Sequence, residues 1–412
     1  MLFIYAMIIR LYSAGIAVAS LFIPKAKSWI AGRNNWRRNF SAIPFHEHKW
    51  VWFHCCSFGE FQDGRTVIEE FRKKHPHYKI VLTFYSPSGY ELMKNFEGAD
   101  MVCYLPQDTR SNSDFFVAHL NPSVVFFIRN DIWPNYIRSL AERNIPRYLV
   151  SFTLSPESGF LKFPQKRFYR SVFQSFTGIF VQDKISKVLL ENHQFNTHIV
   201  VAGNSRIDRV KNIYAENAGA PQLEKFTHDI FTVIAGSTLE KDKTIFLEAY
   251  AALKDENIRW IIVPHEIYPA ELAAAKKLLG DKMICYSDCD PLNEQHKILW
   301  VDHVGLLAKM YRYADIAFIG GGFNAAGIHN ILEPAVSGCA ICFGPNHREL
   351  PEAIDLLNHG AEIIHSAENL KEIIMKYKTD RIMLDSVKEK NRNYILGNSG
   401  ATEIVLSGIE IT

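Results

Sequence analysis

Glu60 stands in the run His54-Cys55-Cys56-Ser57-Phe58-Gly59-Glu60-Phe61, just after an apolar stretch and just before an amphipathic one that begins near Gln62. A carboxylate on such a strand–helix loop can take a proton from a substrate hydroxyl, an effect of roughly 10²–10⁴ in rate. The loop lacks the G-x-G-x-x-G spacing of a dinucleotide site, having only Gly59 and Gly64. An acid here would repel a phosphate, so the loop is expected to serve an acceptor alcohol. Position alone also admits a solvated glutamate near a helix N-terminus.

A second constellation is Ile319-Gly320-Gly321-Gly322-Phe323, followed by Gly327-Ile328-His329-Asn330-Ile331-Leu332-Glu333-Pro334. An apolar strand runs into three glycines, and a short helix is expected to begin near His329. Glycines let a ligand approach the backbone, and a helix N-terminus favours a phosphate. Glu333 can then bond the ribose hydroxyls of a nucleotide. The bland alternative is a tight glycine turn beside a satisfied core histidine. Three further loops follow apolar runs in the same half of the chain: Ala235-Gly236-Ser237-Thr238, Val263-Pro264-His265 and Asp302-His303-Val304-Gly305-Leu306. Each alone is weak. Together, at successive strand ends, they point to a nucleotide site.

No metal site is expected. Asp288-Cys289-Asp290 has the letters of a D-x-D pair but lies in a polar loop, not at a strand end. The seven cysteines form no repeated C-x-x-C and have no histidine cluster, so they read as small buried hydrophobes in a reducing compartment. Transfer chemistry without a metal or other cofactor is the expectation, with fixed dipoles holding a departing phosphate. A net charge of +2 argues against a nucleic-acid binder.

The elements that must position these residues are legible as two series. Apolar, β-rich runs fall at 50–56, 79–85, 101–105, 123–128, 147–152, 178–182 and 198–202. A second series falls at 231–235, 258–263, 282–286, 297–301, 315–319 and 339–343. Amphipathic stretches such as 62–74 and 133–143 lie between them. Alternation of this kind predicts parallel sheets covered by helices on both faces, an α/β fold of two doubly wound Rossmann-like domains facing a cleft. The expected boundaries are an acceptor domain over 41–204, a hinge over 205–229 with its Ala-Gly-Ala-Pro break, and a nucleotide domain over 230–412.

Residues 2–23 are apolar except for Arg10, and residues 1–40 carry six basic residues and no acid. Twenty-two residues are enough to cross a bilayer, but Arg10 near the middle makes a clean span costly. The run continues past the cleavage-like Ala17-Val18-Ala19 and meets Lys25 and Lys27, against a signal peptide. An uncleaved anchor, or a helix lying in the interface, is expected.

These elements resemble the 3-deoxy-D-manno-octulosonic acid (Kdo) transferases of Gram-negative bacteria, a GT-B-fold family, over almost the whole chain. Ser57-Phe58-Gly59-Glu60 looks like the family's S-x-G-E, and His329-Asn330-Ile331-Leu332-Glu333-Pro334-Ala335 is similar to its H-N-x-L-E-P-A. Ser86-Pro87-Ser88-Gly89, Tyr104-Leu105-Pro106, Trp133-Pro134-Asn135 and Gly203-Asn204-Ser205-Arg206-Ile207-Asp208 add to it, and the Ile319-Gly320-Gly321-Gly322-Phe323 and Pro264-His265-Glu266 versions look like those of Bacteroidetes members. The resemblance implies Glu60 as general base, Arg206 stabilising the transition state, and Asp131 in the catalytic set. It implies contacts to the CMP-Kdo donor at Pro264, His265, Val304, Gly305, Leu306, Asn330, Ile331, Leu332 and Glu333, and the strand-end and glycine loops read above add Ser237, Thr238, Gly321, Gly322 and His329. Ser57, Gly59, Arg65 and Arg129 are the expected acceptor contacts, the acceptor being a lipid A precursor at the cytoplasmic face of the inner membrane, among its lipids. Two positions depart from the family: Arg129 replaces the first of two acids before the Trp-Pro-Asn, and Thr153 stands near where the family has an arginine. The rivals are a UDP-sugar epimerase, a UDP-sugar lipid glycosyltransferase and a nucleotide-sensing membrane protein without catalysis.

Overall fold

The computed structural model describes residues 2–196, 198–216, 219–288, 296–325, 327–347 and 350–411. The chain divides into two compact units, residues 1–209 with 399–412, and residues 210–398.

The first unit is built on seven parallel strands. They are β1 (Trp50–Cys55), β2 (Lys79–Phe84), β3 (Met101–Tyr104), β4 (Val124–Ile128), β5 (Arg147–Phe152), β6 (Gly178–Val181) and β7 (Ile199–Val201), in the order β3-β2-β1-β4-β5-β6-β7. β1 and β4 are buried along their whole length, as continuous apolar runs in the middle of a parallel sheet must be. The order reverses between them, and there the carboxyl ends open a crevice in an α/β sheet.

The second unit repeats the plan with β8 (Phe231–Thr238), β9 (Ile258–Pro264), β10 (Met283–Cys285), β11 (Ile298–Trp300), β12 (Ile316–Ile319), β13 (Ala340–Phe343) and β14 (Glu362–Ile363). Their order is β10-β11-β9-β8-β12-β13-β14, so the reversal lies between β8 and β12. Every expected strand is present, most within a residue at each end, while β8 runs on to Thr238. The two-residue β14 carries too little pattern to be read from sequence.

The helices correct the expected boundaries. The segment expected as a hinge contains the helices Ser205–Glu216 and Pro221–Thr227. Residues 399–412 belong to the first unit, not to the domain expected over 230–412. Asp208 draws them there, its carboxylate accepting from Gly400 N at 2.5 Å and Thr402 N at 2.7 Å, while Ala401 and Val405 bury themselves in the first unit's core.

At the amino end, α1 (Leu2–Ala19) gives way through a short turn to α2 (Pro24–Ala31), bent by 120° from it. No single described helix is long and apolar enough to cross a membrane, though the bent pair passes by length and composition. α1 leaves Ile4, Met7, Ile8, Leu11 and Val18 exposed. α2 is pinned by Arg33, which donates to the carbonyls of Tyr85 (2.8 Å) and Leu105 (2.9 Å) and lies over the Trp29 ring at 3.9 Å. A short helix, α3 (Trp36–Ser41), follows, and α4 (Phe58–Lys74) leads on from β1.

Candidate functional site

α4 begins at Phe58, so Glu60 is not on a loop ahead of the helix, as expected, but in its first turn. Ser57 is the N-cap. Its backbone N–H donates to Glu60 Oε2 at 3.0 Å, and its hydroxyl bonds the same carboxylate. This is the reciprocal cap written as S-x-x-E, a signal present in Ser57-Phe58-Gly59-Glu60 and missed there. Glu60 stays half-buried, at the carboxyl end of β1 where the strand order reverses. Gly59 beside it is exposed, and a Cβ there would meet nothing nearer than Ser57 Oγ at 3.7 Å. The fold therefore does not require this glycine.

Asp131 follows β4, across the same switch point. Burial, and then the charge of Glu60, push its carboxyl well above the ordinary range. Its Oδ2 lies 3.6 Å from His54 Nε2 at the end of β1. Burial drives the His54 imidazole down to about 3, so it is neutral. Trp52 Nε1 can only donate, and it does so to Thr83 Oγ1 at 2.8 Å. Thr83 Oγ1 also lies 2.8 Å from His54 Nδ1 and donates to Phe53 O at 3.4 Å, so this hydroxyl fixes the ring of His54 beside Asp131.

One turn beyond Glu60, the carboxylate of Asp63 is buried and gathers two of the expected arginines. Arg129 Nη1 lies 3.1 Å from Asp63 Oδ2, and Arg206 Nε lies 3.7 Å from Oδ1. Arg129 has φ +65°, a left-handed backbone that costs a non-glycine residue roughly 1–2 kcal/mol. Its N–H bond to Val150 O at 2.7 Å and its pairing with Asp63 hold it there. Both guanidinium groups remain about a third exposed, so the cluster presents a net positive charge beside Glu60. Arg65 does not join it; it pairs with Glu69 at 2.6 Å and lies near the Phe61 and Phe96 rings. Asp63 went unread in the sequence, although an acid between Phe61 and Val67 on the buried face of α4 was its signal.

In the second unit, the ends of β8, β9 and β12 converge. Thr238 O accepts from His265 N at 3.0 Å, Gly320 O accepts from His329 N at 3.1 Å, and the two imidazoles stack at 4.4 Å. Burial, then the neighbouring His265, lowers the pKa of His329. Ser237 has φ +53°, a second strained residue at a strand end. Val304, after β11, is 83% exposed, and Gly305 follows it with φ +82°. Pro264, Ile331 and Leu332 are buried, which leaves their backbones, not their side chains, for any ligand.

The glycine loop differs from the expectation. A Cβ on Gly320 would lie 2.2 Å from Ser237 O, and one on Gly322 would lie 2.6 Å from Gly344 N, so these glycines let backbone pack on backbone. Gly320 N already donates to Gly236 O at 2.9 Å and Gly321 N to Asp242 Oδ2 at 2.8 Å. Those two amides are not free to cradle a phosphate. Asp242 Oδ2 also accepts from Leu239 N at 2.8 Å, so one buried carboxylate caps a helix and ties the glycine loop to it. The helix expected from His329 spans only Leu332–Ser337. Pro334 explains the delay: any earlier start would drive its ring into the carbonyl four residues back, and Asn330 Oδ1 caps Leu332 N instead at 3.0 Å. Among the described residues no three His, Cys, Asp or Glu side chains gather as a metal site; Cys289 and Asp290 lie outside them.

A family model described as 3-deoxy-D-manno-octulosonic-acid transferase (kdotransferase) matches residues 34–209, the segment that carries Glu60, Asp63, Asp131 and Arg206. The 3-deoxy-D-manno-octulosonic acid transferase of Haemophilus influenzae is 25% identical over 93% of this chain and 89% of its own. That of Chlamydophila psittaci is 28% identical over 79% and 76%. The chain is thus similar to Kdo transferases over most of its length, and the family model covers its residues 34–209. It is a glycosyltransferase. Among solved structures, UDP-GlcNAc 2-epimerase from Neisseria meningitidis matches with TM-score 0.59 and 16% identity over 87% of this chain and 99% of its own. MurG from Acinetobacter baumannii matches with TM-score 0.51 and 14% identity over 87% and 98%. At such identities they show the GT-B fold alone.

Proposed function

We propose that this protein is a Kdo transferase that moves Kdo from CMP-Kdo to a lipid A precursor in one in-line displacement with inversion. Glu60 takes the proton of an acceptor hydroxyl on the glucosamine disaccharide. The hydroxyl oxygen bonds to the anomeric carbon as the bond from that carbon to the phosphate oxygen breaks. CMP departs with the electron pair. Asp131, holding its proton to higher pH than an ordinary carboxyl, spares Glu60 a second full negative charge at close range. Arg206 and Arg129, held by Asp63, meet the growing negative charge or the Kdo carboxylate. Ser237, His265, His329, Asn330 and Glu333 of the second unit take the nucleotide, in place of the occupied Gly320 and Gly321 amides. The observation that carries this reading is Glu60 at the switch point of the first sheet, beside a glycine the fold does not need and next to Asp131.

α1 lies in the membrane interface at the cytoplasmic face of the inner membrane, its exposed apolar side chains in the lipid and Arg10, Lys25 and Lys27 at the headgroups. The sharp bend between α1 and α2 supports an in-plane helix better than a span. The test is a transfer assay with CMP-Kdo generated in situ and a tetraacylated lipid A precursor, read by mass. A gain of one or more Kdo units is expected. No gain with CMP-Kdo, but transfer from a UDP-sugar, overturns the donor assignment.

A further inference from the structure

α1 is not the only exposed apolar feature beside basic charge. Phe163, on the loop after β5, is 94% exposed, the most of any large apolar side chain among the described residues. Lys162 flanks it, and Lys166, Arg167 and Arg170 follow on the helix Gln165–Phe173. From Ser158 to Gln182 the chain has no acid, just as it has none before Glu47. The fold brings these two acid-free segments together. Phe160 packs on Tyr169 at 4.7 Å, Tyr169 on Phe168 at 5.3 Å, and Phe168 on Tyr5 of α1 at 6.2 Å. A ladder of rings thus ties the Phe163 loop to the first turns of α1.

We propose that the Phe163 loop and the helix Gln165–Phe173 form a second contact with an anionic lipid bilayer, beside α1. This rests on the interfacial reading of α1 above. An aromatic ring on a loop tip suits the boundary between acyl chains and headgroups, where amphipathic surfaces seat their apolar side chains. Lys162, Lys166 and Arg167 match the negative charge of such a surface, each worth about fivefold in partition. Between Ser158 and Gln182 every charged residue is basic, and a basic run that carries an exposed ring favours an anionic lipid surface over a protein partner. A single helix lets the enzyme pivot about its axis, whereas two contacts held by the ring ladder fix which face of the first unit looks at the bilayer. The face carrying Glu60 is then presented to a lipid-borne acceptor in one orientation.

The experiment uses the full chain with two single reporters, Met7→Trp on α1 and Phe163→Trp on the loop. Each is read as a difference from the parent in vesicles of phosphatidylglycerol and phosphatidylethanolamine with brominated acyl chains. Bromine quenching of both added tryptophans is expected. A triple variant, Lys162→Glu, Lys166→Glu and Arg167→Glu, is expected to partition at least tenfold more weakly into these vesicles and unchanged into phosphatidylcholine. Quenching at position 7 but not at 163 overturns the second contact and leaves the α1 reading standing. Quenching at neither overturns both. Equal partition of the triple variant and the parent into anionic vesicles also overturns the proposal, and points to a protein as the occupant of this face.

Discussion

At the scale of single residues, one side chain carries two duties. Glu60 closes the cap of α4 and is also the proposed base, and the sequence showed the second duty more readily than the first. The letters of the cap were present, but a motif that a family shares for catalysis can hide a local helix signal. Gly59 separates the two duties. Its Cβ position is open, and its backbone is not among the positive-φ glycines. Gly59→Ala is therefore expected to leave stability unchanged or to raise it by up to about 1 kcal/mol, since alanine is the better helix former. It is expected to raise KM for the lipid acceptor at least tenfold while leaving CMP affinity intact. Urea denaturation and acceptor kinetics check this together; unchanged acceptor kinetics would mean that no substrate approaches here. The buried place of Asp63 was open to reading from the face of α4, but its partners were not, and neither were those of Asp242. Each works by holding something far away in sequence, Arg129 and Arg206 in one case and Gly321 in the other, and no local pattern records such a contact.

At the scale of elements, strands were easy and helix starts were hard. Continuous apolar runs name buried parallel strands, whereas a helix start depends on one cap or one proline, as Ser57 and Pro334 show. The docking of α1 was not legible either. Tyr5 OH donates to Asp108 Oδ2 at 2.7 Å, and the same carboxylate accepts from Asn135 N and Tyr136 N at the start of the helix Pro134–Glu142. This gives the Trp133-Pro134-Asn135 run a structural role next to Asp131. Burial raises Asp108 to about 6, against an ordinary 3.8. A carboxyl whose folded value is raised contributes stability that is fully present below about pH 4 and is lost as pH rises through 6. The loss over that window is about 3 kcal/mol from this group. Melting curves from pH 4 to 7 are expected to show the parent losing stability relative to Asp108→Asn, which stays neutral throughout. Parallel curves would show that Asp108 titrates normally.

At the scale of the whole molecule, the two-sheet plan followed from alternation alone, and both clusters sit where each sheet reverses its strand order. The return of the carboxyl end to the first unit did not follow, because a short amphipathic helix carries no mark of which sheet it will cover. The helix Ala401–Ser407 packs on α4, the helix that holds Glu60 and Asp63. Deleting residues 399–412 is expected to lower the stability of the first unit by about 3 kcal/mol or more, from buried apolar side chains and the two bonds to Asp208. The second unit should keep its own transition. Two-probe urea unfolding checks this, and an unchanged first transition would show that the segment only rests on the surface.

The central claim is that Glu60 is the base and not merely a cap, and glutamine isolates it. Glu60→Gln keeps an oxygen to accept from Ser57 N and is the other residue the cap accepts. Its stability should fall by less than about 1 kcal/mol. The measurement is single-turnover transfer of Kdo by Glu60→Gln with CMP-Kdo and a lipid A precursor at saturation. The account predicts a rate roughly 10²–10⁴ lower with CMP binding unchanged. A rate near that of the parent would contradict it, and would leave Glu60 as the cap of α4 and nothing more.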